Sequence, residues 1–307
     1  MTCVINLFRL LAVWLLLATT AQAYEQALLN LAASDINGKP VAVAQLLGNK
    51  PLYIKFWASW CVPCNQQMPH FVQASQNYGD SVAFLSVNID LNEDRAAVLA
   101  MIEKYGMSMP TVQDSDGRLS QAFDLLGTPL HILLDGQGRV VHKGHKVDAR
   151  LKQRLAMLAS SDSYLERVNI VEGQHSSALP VLAQQGLSAL YFTATWCDWY
   201  LAESRPEQSK NCVQGQQVLK QLAAAYPSLS LQTWVSRLWT ELADVADYKQ
   251  KYQLNSEVLI DKNNAASVRY GVKTLPTLLL FKNGSEVLRI KDFSSYLHVQ
   301  QQLANRM

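Results

Sequence analysis

The chain's most reactive stretch is Trp60-Cys61-Val62-Pro63-Cys64. Two cysteines separated by two residues place both sulfurs within one helical turn, close enough to bond with little backbone movement. The apolar run at residues 52–57 predicts a buried strand ahead of them, and residues 65–78 predict a helix behind them. Cys61 then lies at a helix N-terminus, where the partial positive charge favours thiolate over thiol. The thiolate is the nucleophile of disulfide exchange, so Cys61 is cast as the attacking sulfur and Cys64 as the resolving one. A structural disulfide and half of a zinc site are the competing readings. Zinc would need two further ligands at metal spacing; the chain has no second CxxC and no paired-histidine motif, so no metal is expected.

The elements that must hold this motif recur along the chain. Ile54 to Cys61 matches Tyr191 to Cys197 in register and character. Gly127-Thr128-Pro129 leads into an apolar run at 130–134, a Gly-rich turn and a returning strand at 139–142. Thr274-Leu275-Pro276 leads into 277–281, Lys282-Asn283-Gly284 and 286–290 in the same way. Amphipathic helices are expected at 148–159 and 295–305. Within the first half, strands are expected at 83–88 and 110–113, and helices at 93–105 and 119–125. This alternation predicts an α/β protein with helices packed on a central sheet in each half. The interval from Cys197 to Pro276 exceeds that from Cys61 to Pro129 by about eleven residues, and Ser204-Arg205-Pro206 should break a helix there. A linker is expected at 160–164.

The string FWASWCVPC followed by a later Thr-Pro before a strand resembles the thioredoxin superfamily, and the first half resembles the exported reductases of the TlpA and ResA type over residues 28–158. Asp35-Ile36-Asn37-Gly38-Lys39-Pro40 and the extra strand and helix between the halves of the core belong to that resemblance. It implies two tandem thioredoxin-like folds, each a central mixed sheet flanked by helices: a catalytic domain at 24–160 and a degenerate one at 165–307. It also implies that Cys61 attacks, that Cys64 resolves, and that Pro129 is cis beside the disulfide, exposing the Thr128 backbone to an extended substrate. Trp60 and Pro63 complete the substrate groove, and Pro276 is the second domain's cis-proline candidate.

Two positions depart from the resembled pattern. Lys55 stands where thioredoxins carry a buried acid, and Gln67 where the ResA type carries a glutamate. Neither proton acceptor is therefore expected, and Lys55 is expected to reach solvent without a catalytic role. In the second half Tyr200 replaces the second cysteine of a CxxC. Cys212 lies fifteen residues after Cys197, about 22 Å along one straight helix, so a bridge between them requires the chain to fold back at Pro206. Bridge, free thiols, and exchange with the first domain all remain open for this pair, as do a static and a redox role for a bridge. His142 and His145 are expected at the surface and His131 in strand packing. Trp57 is expected in the core and Trp60 on the active-site rim, while Trp234 and Trp239 have no assignable role.

Composition narrows the rest. The 307 residues suffice for two domains, half of them are apolar, and the net charge is +2 with basic residues scattered. No phosphate loop or dinucleotide fingerprint appears, so no cofactor and no nucleic-acid partner is expected. Arg9, an apolar stretch at 10–18 and Ala21-Gln22-Ala23 predict a signal peptide at 1–23 and a periplasmic protein; an uncleaved inner-membrane anchor is the alternative. Without Cys3 the mature chain keeps four cysteines, an even number that suits an oxidising compartment. The expected partners are protein thiols or disulfides and a membrane or periplasmic electron-exchange protein. The Val-Pro dipeptide and the TlpA-like context point to reduction. A disulfide-introducing oxidase and a client-binding holdase with a vestigial site are the alternatives.

Overall fold

A computed structural model of the protein describes residues 27–48, 50–160, 165–168, 170 and 179–306. The expected signal at 1–23 and most of the expected linker at 160–164 lie outside the described residues. The strands form two sheets. The first contains β1 (Ala32–Asp35), β2 (Pro40–Ala42), β3 (Leu52–Trp57), β4 (Ala83–Asn88), β5 (Thr111–Gln113), β6 (Leu130–Leu134) and β7 (Val140–Gly144), in the order β2-β1-β5-β4-β3-β6-β7. The second contains β8 (Leu187–Thr193), β9 (Ser230–Ser236), β10 (Val258–Asp261), β11 (Thr277–Lys282) and β12 (Ser285–Ile290), in the order β10-β9-β8-β11-β12.

In the first sheet β3, β4 and β5 are parallel, β6 pairs antiparallel with β3, and β7 pairs antiparallel with β6. The second sheet repeats that pattern strand for strand with β8, β9, β10, β11 and β12. The architecture is therefore two tandem thioredoxin-like α/β folds. The β1–β2 hairpin is the first sheet's addition. It pairs antiparallel with β5, and Asp35 closes its turn by accepting the Asn37 and Lys39 amides.

Helices α1 (Val43–Leu47), α2 (Val62–Tyr78), α3 (Arg95–Tyr105), α4 (Arg118–Ala122) and α5 (Ala149–Ala159) accompany the first sheet. The central strand β3 is buried at all six positions, which is why it reads as an unbroken apolar run rather than an alternation. Asp94 and Asp148 cap α3 and α5 by accepting the Ala97 and Leu151 amides. The helix expected at 119–125 stops at Ala122. Asp124 adopts a left-handed backbone, φ 46°, which a helix cannot continue through.

The second domain carries α6 (Cys197–Tyr200), α7 (Pro206–Ala225), α8 (Leu242–Tyr252), α9 (Ala265–Arg269) and α10 (Tyr296–Ala304). Pro206 occupies the first turn of α7, where its missing N–H costs nothing, and α6 is cut to a single turn. The chain folds back between them and brings Cys212 on α7 to Cys197. The two are disulfide-bonded, Cα–Cα 6.0 Å, and both are buried.

Closing a loop of about 15 residues stabilises by roughly 3 kcal/mol in the chain-entropy model. Cys197→Ser should therefore lower the second domain's melting temperature by roughly 10 °C. A calorimetric scan that shows no shift would mean the bridge does not hold this domain together.

Candidate active site

Cys61 caps α2 and Pro63 sits in its first turn, so the helix begins at the motif. Cys61 and Cys64 are disulfide-bonded, Cα–Cα 5.2 Å, and the Cys64 amide donates to Cys61 Sγ at 3.2 Å. That amide and the helix dipole put partial positive charge beside Cys61 Sγ, which favours thiolate over thiol there. The Thr128–Pro129 and Leu275–Pro276 bonds are both cis, each just before the strand that neighbours its domain's central strand.

Lys55 does not reach solvent. It is wholly buried on β3, its Nζ donates to the Cys64 carbonyl at 3.3 Å, and the ammonium faces the Phe71 ring at 5.6 Å. The expectation failed because β3 is covered on both faces, leaving no route along which the side chain could snorkel. Burial lowers the Lys55 pKa to about 7. The strand register sets His131 opposite Lys55. His131 hydrogen-bonds Tyr53 Oη through Nδ1 and Gln67 Oε1 through Nε2, both at 2.8 Å. Burial first, and then the nearby Lys55 charge, hold His131 well below its ordinary pKa. Gln67 continues this chain by donating to the His145 carbonyl, and His145 Nδ1 donates to the Pro129 carbonyl at 2.8 Å. The cis-proline loop is thus tied to the strand beneath the sulfurs. His145 is exposed as expected. His142 is buried instead, because β7 turns that side chain inward; burial lowers its pKa to about 4.

A second network fixes the turn before Cys61. Glu93 accepts the Ser59 amide, the Ser59 hydroxyl at 2.7 Å and the Asn88 amide group at 3.2 Å. Burial raises the Glu93 pKa, opposed by these hydrogen bonds and by Arg205. Arg205 belongs to the second domain: it lies 3.9 Å from Glu93 and donates to Ser59 Oγ at 2.6 Å.

The second domain does more than touch the rim. Trp60, expected on the active-site rim, is buried there because Trp196 stacks on it, ring centroids 5.2 Å apart. Trp239 and Tyr200 complete an aromatic cluster, at 5.9 and 6.3 Å from Trp60. Trp57 lies in the core, with its indole N–H on Ser86, and Trp234 is buried in β9. Trp239, which had no role in the sequence reading, lies across Gly127, where any Cβ would collide with its indole. The contacts between domains are paired by a local twofold. The Trp60 indole N–H donates to the Leu91 carbonyl and that of Trp196 to the Leu238 carbonyl. The following amides cross over: Asn92 N donates to the Lys273 carbonyl at 2.8 Å, and Trp239 N to the Leu126 carbonyl at 2.7 Å. Tandem WC motifs are the sequence signal for such a pairing, although they do not say that the two faces meet.

Part of the chain is similar to known proteins. Residues 20–156 match the Redoxin family. The thiol-disulfide oxidoreductase ResA of Bacillus subtilis is 30% identical over 113 residues, 36% of this chain and 62% of the relative. The ResA of Halalkalibacterium halodurans is 28% identical over 141 residues, 45% of this chain and 78% of the relative. The chain thus spans just under two thirds of the Bacillus subtilis protein. Among solved structures, StoA from Bacillus subtilis is 23% identical, with a TM-score of 0.36, and the alignment covers 41% of this chain and 95% of that one. The ResA relatives are thiol-disulfide oxidoreductases, and the fold is thioredoxin-like. The likeness to ResA-type proteins is carried by the first domain.

The lowered Lys55 pKa has a stability consequence. Between the folded value of about 7 and the unfolded value of 10.5 the unfolded chain holds the extra proton, so stability rises with pH across that window. Against Lys55→Met, the wild type should gain up to about 1.4 kcal/mol per pH unit above neutrality. Parallel denaturant titrations at several pH values measure the difference. A constant gap would mean that Lys55 keeps its proton in the fold.

Proposed function

We propose that this protein reduces disulfides in other proteins, with Cys61 as nucleophile and Cys64 as resolving thiol. The observation that carries the reading is the placement of Cys61 Sγ at the N-terminus of α2, accepting the Cys64 amide, in a pair already able to bond. In the reduced protein the Cys61 thiolate attacks one sulfur of a substrate disulfide. A mixed disulfide forms, and the other substrate sulfur leaves as a thiolate and takes up a proton. Cys64 then gives its proton to a base, its thiolate attacks Cys61 Sγ, and the second substrate sulfur departs. The chain is left with the Cys61–Cys64 bond described above, and two electrons have passed to the substrate.

Lys55 is the base that the geometry offers. Near pH 7 a substantial fraction of its amine is neutral, and it lies against the Cys64 backbone. Thr128 and Pro129 form the wall along which a substrate strand would lie, and Trp60 and Pro63 border it. The names of the ResA relatives support the exchange chemistry, and the Val-Pro dipeptide supports the reducing direction. The basic, apolar and small-residue pattern at 1–23 supports export to the periplasm, and the described residues contain no helix long and apolar enough to cross a membrane. An exported reductant needs an external electron donor, which makes a membrane or periplasmic dithiol protein the second partner.

Cys64→Ser should trap mixed disulfides with client proteins on non-reducing gels, and Cys61→Ser should trap none. Rapid alkylation of Cys64 alone near neutral pH would reverse the two roles. The resolution step should accelerate as pH rises through about 7, and Lys55→Met should abolish that inflection while leaving the first attack intact. Stopped-flow measurement of mixed-disulfide decay against pH separates the two steps.

A further inference from the structure

The attacking sulfur is sealed. Cys61 and Cys64 are both wholly buried, although Cys61 stands at the open end of a helix where exchange requires in-line access to its sulfur. The cover is the second domain. The Val62 amide, next to Cys61, donates to the Tyr200 hydroxyl at 3.3 Å. Tyr200 occupies the place that a second cysteine would take in a CxxC, and burial raises its pKa, so the phenol stays neutral. The Leu126 carbonyl, three residues before Pro129, is taken by the Trp239 amide, and the Trp239 indole fills the space over Gly127.

We propose that the second domain is a built-in competitor for the dithiol face. Cys61 exchanges only when the two domains part, and a protein substrate then takes the positions held here by Tyr200 and Trp239. The chemistry of the present occupant describes the next one: an extended segment that offers a backbone N–H to Leu126 and lays a large aromatic side chain on Gly127 and Trp60. The rim of the interface is suited to separation. Arg237 meets Asp124 at 2.9 Å and Arg205 faces the buried Glu93, whereas Lys273 meets Asp90 at 2.8 Å through a half-exposed ammonium, the pair that salt weakens most. The part of the proposal that concerns substrate rests on the exchange function above; the closure itself does not.

When opening precedes reaction, the observed rate is the intrinsic rate multiplied by the open fraction, and minor states of this kind are populated at roughly 0.1–10%. In the reduced full-length protein, iodoacetamide labelling of Cys61, followed by peptide mass, should therefore be about tenfold or more faster in Trp239→Ala than in the wild type. High salt should accelerate labelling of the wild type, and the ratio should persist across the pH profile. Equal rates in two proteins with intact melting transitions would overturn the closure. If Trp239→Ala does not fold, the rim variant Arg237→Ala carries the same test with a smaller increase. For the occupant, the probe is a pair of synthetic cystine peptides, one with Trp and one with Ala beside the disulfide. Faster reduction of the Trp peptide is expected, and equal rates would overturn the aromatic preference. If neither peptide is reduced while labelling is still gated, the exchange function fails and the closure stands.

Discussion

Trp60 stacked on Trp196 joins two folds that would otherwise be neighbours on a string, and the accessibility of the dithiol depends on that contact. Each tryptophan immediately precedes its domain's first cysteine, so the ring that packs the interface and the sulfur that reacts are set by the same turn. Aromatic pairs of this kind contribute about 0.5–1.5 kcal/mol each beyond the area they bury. Trp60, Trp196, Tyr200 and Trp239 form several such pairs, enough to favour closure, while the charged rim leaves the contact separable. One apolar cluster accordingly runs through both domains and includes Cys61, Cys64 and Cys197.

Beneath the sulfurs the chain solves an electrostatic problem with a basic group. The N-terminus of α2 favours a thiolate on Cys61, and the charge on His131 is suppressed by its burial and by Lys55. A buried ammonium would be costly if it stayed charged. The lowered pKa relieves that cost by releasing the proton near neutrality, which also makes the amine available as an acceptor when Cys64 must lose its own. On the mechanism proposed, a lysine where the resembled pattern has an acid still supplies a proton acceptor, with different charge states on either side of the transfer.

What could be read from the sequence was whatever is decided locally. The strand before Cys61, the helix after it, the hairpins after both cis-prolines and the fold-back at Pro206 all follow from apolar runs, turn residues and one misplaced ring nitrogen. The two sheets repeat because their sequences do. What escaped was decided by burial from elsewhere in the chain. Lys55 and His142 are polar residues in strands that the next helices, α2 and α5, help to shut in, and residue type alone gives no sign of that burial. Trp239 and Tyr200 gain their meaning from Gly127 and Val62, more than a hundred residues earlier.

The degeneracy of the second motif fits this arrangement better than decay does. A cysteine at position 200 would supply neither the phenol that meets the Val62 amide nor the ring that packs on Trp60 and Trp239. Cys197 is not left as a stray thiol: the break at Pro206 turns it toward Cys212, in the interior of its own domain. A free thiol at that facing position would compete with every substrate for Cys61 within the same molecule, at an effective concentration no external protein could match. With Cys197 bonded inward and an aromatic residue at 200, this turn presents a surface complementary to the one that carries Cys61.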